Sequence, residues 1–326
     1  MPALRVLTWH VHGSYLNYLS SVPVTWLLPV RPDRSDGYGG RGATFSWPDN
    51  VVEVEADDVR DLDIDVVLTQ SRANWERDRH DLLGGRVAEL PRVHVEHDPP
   101  SRWPNDALHP VQDPGALLVH VTPYNALMWD SGVTPAVTVD HGVSVPDLPW
   151  TGERSAAITV VNNLYGRGRR LGPDVFDQVV AQVPVDLAGM NGGAHDRWLG
   201  DIRLAELHRL LPTYRVLFNP IRYTSLGLAV CEAMALGVPV VGLATTEMAA
   251  AVANGVNGYV ETDPARLAGH LRRLLHDRDE AAHLSAGARR LAAERFGIDR
   301  FTAEWLAVLQ AAAGCALVRL SPEGPG

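Results

Sequence analysis

A chain of 326 residues, 46% hydrophobic and 21% charged, is long enough for two ordinary domains, each burying its own core. Its net charge of -10 argues against sequence-independent binding to nucleic acid, and no apolar run approaches the roughly 20 residues of a membrane span. Cys231 and Cys315 support neither a disulfide framework nor a cysteine metal site, and with no Lys in the chain any phosphate contact falls to Arg.

The N-terminal residues carry no charged region ahead of an apolar one and no small-residue cleavage site, so they read as a first strand rather than a signal peptide, and a cytoplasmic location is expected. Short apolar runs at 4–9, 24–30, 66–68, 92–95, 117–121 and 136–139 alternate with loops and helical stretches, the pattern of a parallel sheet flanked by helices. The Gly-rich segment 31–48 reads as a loop or mobile insert, and Asp63-Ile64-Asp65 as a turn leading into the strand after it. A second alternating series begins at 157–161 and continues at 185–188, 216–218 and 238–242. Between the two lies a Pro- and Gly-containing linker, 145–152. Three parts are therefore expected: 1–148, 149–300, and a last helix with tail at 301–326. The Arg residues at 266, 272, 273, 289, 290 and 295 alternate with acids and read as a solvated helix face.

The chemistry concentrates between 216 and 260. A buried strand ends at Asn219-Pro220, and a helix follows over 226–236, with Glu232 its only charged residue. Ser225 is the expected N-cap, which would leave the amides of Leu226, Gly227 and Leu228 facing the loop, where the helix dipole favours an anion. Gly227 would let a bulky ligand approach the backbone. A carboxylate in such a helix needs hydroxyls or cations to satisfy it: paired sugar hydroxyls would serve, and so would a nearby Arg such as Arg222.

Asn219-Pro220, Leu226-Gly227-Leu228, Glu232-Ala233-Met234, Gly237, Pro239-Val240-Val241, Asn254-Gly255 and Asn257-Gly258-Tyr259 occur in an order that resembles the donor site of the retaining GT-B glycosyltransferases of family four. The resemblance implies an α/β fold of two Rossmann-like domains facing across a cleft, with a C-terminal helix crossing back to the first. It also implies sugar transfer from a nucleoside diphosphate to an acceptor hydroxyl, with no cofactor and no metal. In that family the Glu matching Glu232 holds the ribose hydroxyls, and the 224–228 loop contacts diphosphate and sugar. The first Glu of the family's pair, eight residues earlier, is Thr224 here, and the family's Arg after the first strand of the second domain is Asn163. Arg169 and Arg170 fall where the family has a Lys, and the missing Arg's role is expected to pass to Arg167, Arg169 or Arg170. The cation there would stabilise charge on the departing diphosphate.

His97 ends a strand of the first domain at the sheet edge where open parallel sheets bind ligands, and in the family a His at this place touches the transferred sugar. Glu96 and Asp98 flank it, to orient the ring or serve the acceptor. In the loop after the first strand, Gly13 is expected to meet the donor through its backbone, and His12 and Ser14 the acceptor. Metal binding by His10 with His12, or by His94 with His97, lacks a third ligand of convincing spacing. Asp140-His141-Gly142-Val143 resembles a structural turn before the linker, and 189–193 a turn or part of the nucleotide site. Thr245-Thr246-Glu247 stands where the family has Gly-Gly; Glu247 is expected either to pair with an Arg or to face the donor sugar. The acceptor is left open among small molecules, glycans and lipid-linked sugars, as is peripheral contact with a membrane. A protein that binds a nucleotide sugar without transferring it is the alternative. A nucleotide-dependent oxidoreductase is disfavoured, because the first strand-to-helix loop has no Gly-x-Gly-x-x-Gly.

Overall fold

In the computed structural model, which describes residues 3–314, short runs rich in Val, Leu and Ile become parallel strands covered on both faces. Cys315 lies outside the described residues. The first sheet contains β1 (Arg5–Leu7), β2 (Thr25–Val30), β3 (Val51–Glu55), β4 (Val66–Thr69), β5 (Arg92–Glu96), β6 (Ala116–His120) and β7 (Ala136–Thr138). Their spatial order is β3-β2-β1-β4-β5-β6-β7, every neighbouring pair parallel. The second contains β8 (Arg154–Val160), β9 (Val185–Ala188), β10 (Trp198–Gly200), β11 (Tyr214–Asn219), β12 (Val240–Leu243) and β13 (Gly258–Glu261). It is ordered β10-β9-β8-β11-β12-β13 and is likewise parallel throughout.

Each sheet has its own core. Leu7, Trp9, Leu27, Val59 and Val67 fill part of the first, and Phe176, Leu187, Val216, Phe218, Val241 and Leu271 the second. Among the described residues, those up to 121, 125–139 and those from 299 onward group as one compact unit, and 122–124 with 140–298 as the other. The linker 145–152 thus packs with the second unit: Thr151 and Gly152 donate their amides to the Pro212 carbonyl at 2.9 and 3.0 Å. The last helix, Ile298–Ala312, belongs from Asp299 onward to the first unit, where Phe301 and Trp305 are fully buried and Trp305 Nε1 donates to the Tyr15 hydroxyl at 3.1 Å.

In both sheets the strand order reverses beside the first strand laid down, at β1/β4 and at β8/β11, so the loops leaving these strands splay apart and open a crevice at their carboxyl ends. The segment 31–48 is not a loose insert. Its Tyr38 is buried in the first core, and His10 and Val30 form bridges to Gly37 and Gly39. Asp65 accepts the Arg5 amide at 2.7 Å, which makes 63–65 the expected turn leading into β4. Among the described residues no helix is long and apolar enough to cross a membrane.

Candidate active site

The crevice of the second unit is walled by the segments after β8 and β11. Arg170 stitches them together: its Nε donates to the Tyr223 carbonyl at 2.8 Å, and its own carbonyl accepts the amides of Arg222 and Tyr223 at 2.9 and 3.2 Å. Arg222 does not reach Glu232. Its guanidinium forks onto both oxygens of Asp174 at 2.5 and 2.7 Å, and Arg169, 77% exposed, adds a bond to the same carboxylate at 2.9 Å. The Arg222 hydrogen bonds hold the Asp174 carboxyl down to about 2. Asp174 therefore offsets part of the positive charge of this wall. Arg167 is exposed, and Asn163 takes a left-handed backbone (φ 55°) with its amide on the Met190 carbonyl at 2.7 Å.

Beyond this wall the chain turns through half-buried Thr224 and buried Ser225 and Leu226 to Gly227. The helix occupies Leu228–Ala235, and its N-cap is Gly227, not Ser225; no side chain caps it. Gly227 has φ 85° and ψ 125°, a conformation outside the helical region and open almost only to glycine, so the helix cannot begin before it. A Cβ at Gly227 would meet nothing within 4 Å. The glycine is thus required by its dihedral angles, and the space before it is open to a ligand, next to half-buried Leu228 and the first amides of the helix.

One turn further on, the Glu232 carboxylate is 3% exposed, between buried Cys231 and Ala233. His208, from the helix Leu204–Leu210, places its Nε2 3.7 Å from Glu232 Oε2. No sequence signal marked His208, which lies 24 residues away and is paired only through the fold. The neighbouring turn 244–247 ties into the same wall. Thr245 and Thr246 donate their hydroxyls to the carbonyls of Ile221 and Ser225 at 3.3 and 3.2 Å. Thr246 has φ 51°, rare for a β-branched residue, so these bonds hold a strained turn. Glu247 resolves toward an Arg: it pairs with Arg295, whose Nε also bonds Asp140 at 2.6 Å, and it accepts the Tyr124 amide at 2.8 Å. Arg295 and Arg289, which donates to the Leu148 and Leu236 carbonyls at 2.6 and 3.1 Å, leave the expected solvated face because each has buried acceptors within reach.

In the first unit the fold brings His12 and His97 together, their ring centroids 4.0 Å apart, with Tyr15 edge-on to His97 at 4.6 Å. His12 precedes the helix Gly13–Leu19, where Gly13 is pressed under Phe45 and His10 and Ser14 is half-buried. The Asp98 amide donates to Glu96 Oε1 at 2.8 Å and its carbonyl accepts Trp129 Nε1 at 2.9 Å. Glu96 turns away from His97 to accept from His109 Nε2 at 3.1 Å.

His94, Glu96 and His109 place ligand atoms within 4.8 Å of one another, so His109 is the third group that local spacing did not reveal. The Val111 amide donates to His109 Nδ1 at 3.1 Å, which puts the ring proton on Nε2, facing Glu96. Burial, reinforced by His109, drops the His94 pKa from its ordinary 6.5 to about 3 and that of His120 to about 4. Both are depressed on folding, so the unfolded chain binds more protons below about 6.5, and stability is full above that pH and falls as pH drops toward these values. Melting temperatures measured from pH 7 to pH 4.5 should show this decline, on the order of several degrees. His94→Asn, which keeps a partner for the Thr69 hydroxyl that lies 2.8 Å from His94 Nδ1, should flatten it; an unchanged slope would count against the histidines.

Residues 171–277 match the family model described as Glycosyl transferases group 1. The chain is 35% identical over 162 residues to D-inositol 3-phosphate glycosyltransferase of Xylanimonas cellulosilytica, a match covering 42% of this chain and 38% of that protein. Among solved structures it resembles sucrose-phosphate synthase from Thermosynechococcus elongatus (TM-score 0.68, 14% identity, 96% of this chain and 100% of that one). Anabaena HepE, solved with UDP and glucose, is similar to the same degree (TM-score 0.66, 14% identity, 95% and 100%). The chain has two parallel-sheet, Rossmann-like domains in the fold of the GT-B glycosyltransferase structures, and its residues 171–277 match the group 1 glycosyl transferase family model.

Proposed function

We propose that this protein moves a sugar from a nucleoside diphosphate donor to an acceptor hydroxyl, with retention at the anomeric carbon and without a bound metal. The observation that carries the reading is the Gly227 turn, open to solvent at the foot of the Glu232 helix, within the segment that matches the group 1 glycosyl transferases. A diphosphate suits the free amides at the start of that helix, and ribose hydroxyls suit a buried carboxylate. The names of similar proteins point the same way: one is a glycosyltransferase, and another was solved with UDP-glucose.

In this reading Ser225, Leu226, Gly227 and Leu228 contact diphosphate and sugar, and Arg167, Arg169, Arg170 and Asn163 line the side where charge develops on the leaving group. A donor phosphate oxygen takes the acceptor proton on the face from which the nucleotide departs, so no protein nucleophile is needed and Thr224 in place of Glu is tolerated. His97 serves the transferred sugar, and His12, Ser14 and Asp98 serve the acceptor. The proposed place of action is the cytoplasm. A second reading, binding without turnover, draws on Thr224 and on Asp174, which occupies two of the arginines beside the loop.

The test is a thermal-shift panel of nucleoside diphosphates, followed by transfer assays with the matching sugar donors. The expected result is a melting-temperature rise of several degrees with one nucleotide at saturation. The expected product keeps the donor's anomeric configuration by NMR and forms undiminished in excess chelator. Tight binding without hydrolysis or transfer from any donor would favour the second reading; no binding at all would sink both.

A further inference from the structure

The chain holds three Asn-Gly pairs, at 191–192, 254–255 and 257–258, and the fold treats them differently. Asn254 has both ends of its amide on Val260: Nδ2 donates to the carbonyl at 3.3 Å, and Oδ1 accepts the backbone amide at 2.7 Å. Asn257 is buried, accepts the Ala253 amide at 2.8 Å and donates to the Ala251 carbonyl at 3.1 Å. Asn191 is exposed in the turn after β9, with a left-handed backbone of φ 54°, and among the described residues its side chain makes no hydrogen bond.

The turn is anchored on either side of this residue. The Met190 amide donates to Asn162 Oδ1 at 2.9 Å, the Met190 carbonyl accepts the Asn163 amide at 2.7 Å, and Trp198 Nε1 donates to the Gly189 carbonyl at 2.9 Å. These bonds stop short of the Asn191 side chain and of the Gly192 amide, which has no acceptor among the described residues.

An asparagine amide carbon is an electrophile, and the next backbone nitrogen reaches it most easily when that next residue has no side chain. Here the Gly192 nitrogen bonds to Asn191 Cγ, the Cγ–Nδ2 bond breaks, and ammonia leaves with the proton that Gly192 gives up. A cyclic imide remains. Water adds to either imide carbonyl and opens the ring, which leaves an aspartate or an isoaspartyl link through the side-chain carbonyl. The balance is a water gained and an ammonia lost, and both products carry a carboxylate where the turn had a neutral amide. Closing the ring requires Cγ to swing toward the following nitrogen. At Asn254 and Asn257 that movement first breaks a pair of side-chain hydrogen bonds, which slows it by about tenfold or more; at Asn191 it breaks none.

We propose that Asn191-Gly192 is a self-modification site, which deamidates in the folded chain while the fold protects the other two Asn-Gly pairs. The new charge arises on the turn bonded to Asn162 and Asn163, in the segment after β8 that walls the crevice of the second unit.

The test incubates the full chain in mildly alkaline buffer at a temperature where it stays folded. Each Asn-Gly peptide is followed by mass spectrometry, and isoaspartate is scored by enzymatic methylation. Asn191 should convert at least about tenfold faster than Asn254 or Asn257. In urea, where the protecting bonds are gone, the three rates should converge. Asn191→Gln keeps an exposed amide on a longer chain that closes a ring poorly, so it should melt like the wild type and lose most of the isoaspartate. Comparable rates at the three sites of the folded chain, an Asn191 that stays intact while the urea-unfolded chain converts, or a ranking that persists undiminished in urea overturns the proposal.

Discussion

Glu232→Ala should weaken nucleoside diphosphate binding by about 2 kcal/mol or more, roughly a 30-fold rise in Kd, as expected for losing charge-assisted hydrogen bonds in a water-poor site. The same substitution separates ligand binding from a structural role. If the carboxylate serves ribose, affinity collapses while stability in urea changes little. If Glu232 instead exists to hold the fold, removing it leaves its buried partners unsatisfied. Stability should then fall by about 3 kcal/mol or more, with affinity following only through unfolding. Glu232→Gln keeps the shape and one acceptor and should lie between wild type and Ala in affinity. Calorimetric titration at a temperature where both variants remain folded distinguishes these outcomes. An unchanged Kd in folded Glu232→Ala would remove the residue from the binding site.

The parallel strands were legible because strands buried on both faces carry short apolar runs, such as Trp26-Leu27-Leu28 in β2 and Val216-Leu217-Phe218 in β11. What escaped was marginal by the same physics. At the sheet edge, β3 alternates Val with Glu and is only partly covered, β10 is three residues long, and β13 is half exposed. The donor loop and the Glu232 helix were readable from local sequence, but the N-cap was not: Ser225 has the better capping side chain, yet the backbone of Gly227 decides where the helix begins. The partners of charged groups were the least legible part. Arg222 finds Asp174, 48 residues away in the chain, and Arg295 finds Glu247 and Asp140, 48 and 155 residues away. Sequence supplies the charges; only the packed sheet decides which of them meet.

The second large effect is expected at one of those meetings. Arg295→Leu should destabilise the second unit by about 3 kcal/mol or more, because it strands Glu247, which is 2% exposed. Burial works against the Arg295 charge, but Asp140 and Glu247 more than compensate and its pKa is raised. Without Arg295, the Glu247 carboxylate is left with the Tyr124 amide, too little for a buried carboxylate. Glu247 directly follows the strained Thr246, whose hydroxyl holds the Ser225 carbonyl, so the damage should spread to the donor loop. Arg295→Leu should therefore weaken nucleotide binding even at temperatures where the chain is folded. The mechanism predicts strong non-additivity: adding Glu247→Leu removes the stranded charge and should recover at least about 1 kcal/mol of what Arg295→Leu lost. Urea unfolding of the two single variants and the double variant measures this coupling. Additive losses would mean that Arg295 stabilises the fold through packing rather than through its charge.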